Sequence, residues 1–77
     1  MSLPDSIKLI RQKSFLNQQE FADALGVGLT TVNRWEGGKS TPNLVAIKKI
    51  KQYCEKNDIS FETVETEWLA ARMEAKK

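Results

Sequence analysis

A chain of 77 residues has room for one domain at most and buries only about 60% of the surface its unfolded form exposes, so modest stability is expected. At 40% apolar and 29% charged residues it contains nothing near the roughly 20 apolar residues of a membrane span and no basic-then-apolar leader, which reads as a soluble, cytoplasmic protein with no membrane partner. No histidine and a single cysteine, Cys54, exclude the usual zinc ligand sets, a Ser-His-Asp triad and a Cys-His pair, so neither an enzyme nor a metal or cofactor is expected.

The net charge of +2 is uneven: residues 1–59 hold nine Lys/Arg against six Asp/Glu, and residues 60–77 three against four. A mildly basic first part permits a polyanion such as DNA as partner without requiring one.

Helical periodicity dominates and no run of five residues alternates apolar and polar, so the fold class is all-α. Pro4 and Asp5 start a first helix with Ile7 and Ile10 facing inward and Ser14 near its end. In Asn17-Gln18-Gln19-Glu20 the spacing of Asn17 and Glu20 is that of a capping box. The second helix follows directly, with Phe21, Ala22 and Leu25 as its apolar face and Gly26 as its stop. A third runs from about Leu29 to Glu36 and ends at Gly37-Gly38. Thr41, with Pro42 at the first helical position, is expected to start a fourth. There Leu44, Ile47, Ile50 and Cys54 face inward to about Lys56, and Lys48, Lys49 and Lys51 form a solvated basic face. Asn57-Asp58 breaks the pattern. Ser60 then caps a fifth helix whose Phe61, Val64, Trp68 and Ala71 form one stripe beside Leu69. That stripe either packs on its own domain or forms a seam with a second copy. The expected organisation is a unit over 1–57 followed by a C-terminal helix over 58–77, with disorder only in the last few residues.

The second and third helices are too short to be stable alone, and Gly26-Val27-Gly28 sets a steep angle between them, as in a helix-turn-helix. Placing residues of the third helix about 100° apart points Val32 and Trp35 one way, supported by Val27. Thr30, Asn33, Arg34 and, at the edge, Leu29 point the other way, offering donors, acceptors and methyl contacts of the kind a DNA major groove can pair with.

The stretch IRQKSFLNQQEFADALGVGLTTVNRWEGGKSTP resembles the phage repressor and Cro-like (Xre-type) helix-turn-helix DNA-binding family over roughly residues 5–56. The match rests on Ile10-Arg11, Leu16-Asn17-Gln18, Ala22, Gly26, Val27, Val32, Arg34-Trp35-Glu36 and the Gly-Lys-x-x-Pro that follows. The chain departs from the family at Gly28, where Ser or Thr is usual, and at Leu29, where Gln or Ser is common.

The resemblance implies a five-helix, lambda-repressor-like domain whose third helix enters the major groove of double-stranded DNA. It places Leu29, Thr30, Asn33 and Arg34 at base edges, and Gln18, Lys39, Ser40, Thr41 and Asn43 at phosphates. Arg11 and Glu36 match a structural ion pair. Three or four base-reading side chains, at about 1–3 kcal/mol of discrimination per good bidentate contact, are too few for one copy to find a genomic site. A homodimer is therefore expected, formed in solution or only on DNA, on half-sites roughly 34 Å apart. The alternatives are a protein-interaction module on the same fold, or the DNA-binding fragment of a larger protein.

Overall fold

The computed structural model describes residues 2–75, with side chains to Arg72. The expectation of terminal disorder falls partly outside them, at Lys76 and Lys77. The described residues form five helices and no strand: α1 (Leu3–Lys13), α2 (Gln18–Leu25), α3 (Leu29–Glu36), α4 (Leu44–Lys56) and α5 (Glu62–Ala75).

Short polar side chains set most helix starts. Ser2 Oγ accepts from the Asp5 amide at 3.3 Å ahead of α1. At α2 the Glu20 amide donates to Asn17 Oδ1 at 2.8 Å and the Asn17 amide to Glu20 Oε1 at 2.9 Å, so both halves of the capping box form. The expected start of α4 at Thr41-Pro42 is wrong. Asn43 is the cap, accepting from the Ala46 amide at 2.9 Å, because the Pro42 carbonyl is taken by the buried Trp68 Nε1–H at 2.7 Å. Leu44 is corrected with it: the side chain is 53% exposed, while Pro42 and Ala46 are buried near the helix start. At α5 the Ser60 hydroxyl accepts from the Glu62 amide at 3.3 Å, so the helix opens one residue later than a cap at Ser60 implies.

Four helices end in one shared motif. After α1, α2, α3 and α4 a single residue turns left-handed, respectively Phe15 (φ 59°), Gly26 (72°), Gly38 (74°) and Asp58 (58°). The next amide then folds back on the last turn: Leu16 to the Arg11 carbonyl at 3.4 Å, Val27 to Ala22 at 3.0 Å, Lys39 to Arg34 at 2.9 Å and Ile59 to Cys54 at 2.8 Å. These bonds satisfy carbonyls that a helix end otherwise orphans. Glycine takes this backbone freely and aspartate tolerates it, but other L residues lose roughly 1–2 kcal/mol.

α2 packs on α3 and α4, and α1 on α3 and α5. Ile7, Phe21, Val32 and Ile50 are fully enclosed at the centre, with the Tyr53 ring edge-on to Phe21 at 5.6 Å between centroids. Along the α5 stripe Val64 and Trp68 are buried, Phe61 and Ala71 half-buried, and Leu69 is 49% exposed. Among the described residues no helix is long and apolar enough to cross a membrane.

Candidate nucleic-acid interface

α3 is held by one face and by its last residue. Val32 is fully buried and Trp35 is 3% exposed. At the C-terminal end Arg11 of α1 grips Glu36 with two bonds, Nε to Oε2 at 2.7 Å and Nη2 to Oε1 at 2.9 Å. A third bond runs from Arg11 Nη1 to the Leu16 carbonyl at 3.0 Å, so one guanidinium joins α1, the turn before α2 and the end of α3. The side chains of this pair are 14% and 5% exposed. Burial acts to raise the Glu36 pKa, but hydrogen bonds from Arg11 and Gln18, with the Arg11 and Lys8 charges, outweigh it and hold the carboxyl below its ordinary value. Arg11 is shifted up, chiefly by its hydrogen bond to Glu36.

The opposite face of α3 is open. Leu29 is 42% exposed, and Thr30, Asn33 and Arg34 are exposed beside it. Arg34 reaches back weakly, Nη2 to the Lys39 carbonyl at 3.5 Å. Gln18, on the first residue of α2, is tied to this face: its Nε2 donates to Glu36 Oε1 at 3.1 Å and its Oε1 accepts from Asn33 Nδ2 at 3.3 Å. Each amide nitrogen in that chain keeps one hydrogen unspent, and Asn33 keeps its oxygen.

Two open clefts flank α3. One is lined by Lys8, Arg11, Gln18, Asn33, Glu36 and Gly37. The other is lined by Gly28, Thr31, Ser40, Thr41, Asn43 and Lys49, with Val27, Trp35, Val45 and Ala46. Thr31 and Asn33 are about 200° apart around the helix, so the clefts lie on different sides of it. Ser40, Thr41 and Asn43 therefore share one flank while Gln18 sits on the other. Lys39 is exposed at the end of α3.

Of the hydroxyl, amide and charged side chains lining these clefts, three lie outside the sequence-based set, Thr31, Lys8 and Lys49. The 100° spacing leaves Thr31 between the buried and exposed faces, which hid it. Lys8 carried a signal, since residues 6–19 contain Lys8, Arg11 and Lys13 and no acid. In the basic run of α4, Lys49 Nζ lies 3.4 Å from the Gly26 carbonyl at the end of α2, while Lys48 and Lys51 are exposed. Cys54 is buried. Burial, with the Glu55 charge adding and Lys13 opposing, pushes its thiol up to about 11, so it stays protonated and packs as an apolar group.

A family model described as helix-turn-helix matches residues 7–61, more than half of the chain. The chain is also 30% identical over 53 residues to the HTH-type transcriptional activator BcrR of Enterococcus faecalis, an alignment covering 69% of this chain and 26% of that protein. The chain thus spans about a quarter of that relative's length. No solved structure matches it.

Proposed function

The chain belongs to the helix-turn-helix family, and from that premise we propose that it reads double-stranded DNA as the binding unit of a transcriptional regulator, with α3 in the major groove. The observation that carries this is the division of α3 into a buried face, Val32 and Trp35, and an exposed polar face, Thr30, Asn33 and Arg34 with Leu29 at its edge. Similarity to a protein named as a transcriptional activator supports the regulatory part of the reading.

In this reading Arg34 swings from its long contact with the Lys39 carbonyl to the paired acceptors of a guanine, and Asn33 uses its free amide hydrogen and oxygen on a neighbouring base. Leu29 meets a thymine methyl group. Gln18 spends its remaining hydrogen on a phosphate at the start of α2, where the helix dipole adds attraction. Lys39, Ser40, Thr41 and Asn43 take phosphates on the other flank. These contacts position the domain, and the α3 side chains specify the sequence. The activity is binding rather than catalysis. Two copies act together on a palindrome with half-sites roughly 34 Å apart.

Titration of duplex DNA against salt is the test, followed by selection of sites from random duplexes. Affinity falls with salt at about 0.9 log units per log unit for each phosphate neutralised, and the recovered sites are two-fold symmetric. Arg34→Ala keeps the melting temperature within a few degrees and lowers preference for the selected site by about 1–3 kcal/mol. No binding at low salt would sink the proposal, and an equal loss on random DNA would reduce Arg34 to a phosphate contact.

A further inference from the structure

Of the four left-handed positions that end α1 to α4, three carry Gly26, Gly38 and Asp58, and one carries Phe15. The phenyl ring does not repay that backbone inside the domain, because Phe15 is 94% exposed. Leu16, the next residue, makes the apolar contact that usually accompanies this motif: it is partly buried and packed against the core. Phe15 is thus strained with no burial to offset it, a backbone outlier of the kind that motivates a functional hypothesis.

The surroundings indicate the partner. Lys8 and Arg11 precede the ring in a segment without acids from residue 6 to residue 19 and line the cleft beside Gln18 and Asn33, whereas Lys13 lines another cleft with Ile59 and Ser60. Among the described residues Arg11 is paired with Glu36, and Lys8 is in no ion pair. Next in the chain after Leu16, Asn17 and Gln18 open α2. Continuity with the proposed reading face is direct: Asn33 bonds Gln18, Gln18 bonds Glu36, Glu36 bonds Arg11, and Arg11 bonds the carbonyl of Leu16.

Resting on the reading of the chain as a DNA-binding unit, we propose that Phe15 is part of the DNA interface. Its ring packs on the apolar edge of a deoxyribose beside the phosphate held at the start of α2, extending the footprint onto the α1–α2 turn. Such a contact positions the domain without reading sequence. It also displaces no counterion, which sets it apart from a lysine contact.

Phe15→Gly and Phe15→Asn put residues that accept a left-handed backbone at this position; Phe15→Asn is expected to melt about 4 °C higher than the parent chain, and Phe15→Gly to gain less, because glycine widens the unfolded ensemble. Binding, followed by fluorescence anisotropy on the selected site and on random duplexes, is expected to weaken about tenfold on both, a change of about 1.4 kcal/mol. The slope of log affinity against log salt stays unchanged. Phe15→Leu, which keeps an apolar side chain, recovers most of the affinity. Unchanged affinity in the Gly and Asn variants overturns the proposal. So does a lower melting point of the Asn variant, which would mean the ring serves the domain itself. Loss of self-association in DNA-free sedimentation, with DNA affinity intact, also overturns it and assigns the ring to a second copy. Parent-chain binding that keeps its Arg34-dependent site preference upholds the functional reading whatever Phe15 does, and absence of any parent-chain binding defeats both.

Discussion

α2 and α3 are eight residues each and joined by a three-residue turn, yet they are fixed by different means. α2 has local support: a complete capping box at Asn17 and Glu20, an acid in its first turn and Gly26 at its end. α3 starts at Gly28 with no side-chain cap and no acid in its first turn. What holds α3 lies elsewhere in the chain, in the core under Val32 and Trp35 and in Arg11 on Glu36. A helix without a side-chain cap leaves its first amides unpaired by its own sequence. Its orientation then depends on packing, so losses in the core and at the ion pair should exceed losses at caps.

Trp35→Ala is expected to have the largest effect, about 3–5 kcal/mol. A domain of this size has about 4–12 kcal/mol in total, so the loss takes a quarter of it or more, and urea denaturation should show a correspondingly lower midpoint. A loss below about 1 kcal/mol would remove the core as the support of α3. Next comes Arg11→Met, which strands a nearly buried carboxylate and takes the donor from the Leu16 carbonyl, at about 3 kcal/mol. The same pair predicts an acid response. The folded Glu36 carboxyl titrates below its ordinary 4.5, so its contribution is complete above that pH and is lost as pH falls through the lower folded value. Glu36→Gln should flatten the stability curve below pH 4.5; an unaltered acid limb would mean the pair contributes nothing there.

The same contrast explains what was legible in advance. The start and stop of α2 are written within a few residues of the helix, so Asn17, Glu20 and Gly26 could be read directly. The two faces of α3 follow from the 100° step. The bond from Gln18 to Asn33 does not, because it depends on how two helices are set against each other. The start of α4 was misread because Pro42 beside Thr41 looks like a first helical residue, while the deciding partner, Trp68, lies 26 residues further on. The left-handed turn at Phe15 was hidden for the opposite reason: that conformation is ordinarily announced by Gly or Asn.

The two smallest predictions test the caps themselves. Asn17→Ala opens the box at α2 and should cost about 1 kcal/mol. Gly28→Ser works in the other direction at α3. The backbone there is extended (φ −79°, ψ 154°), and a Cβ on Gly28 would have only Thr31 Oγ1 nearby, at 3.9 Å. Serine therefore fits without strain and can accept from the Thr31 amide. The cap itself adds a few tenths of a kcal/mol over glycine. The narrower unfolded ensemble adds about 0.4–1 kcal/mol, so thermal melts should rise by a few degrees. Were Gly28→Ser neutral while Asn17→Ala cost its full amount, α3 would draw its order from tertiary contacts alone. A gain above about 1.5 kcal/mol, more than those two effects supply together, would instead show α3 to be as sensitive to local capping as α2, and the contrast between them would fail.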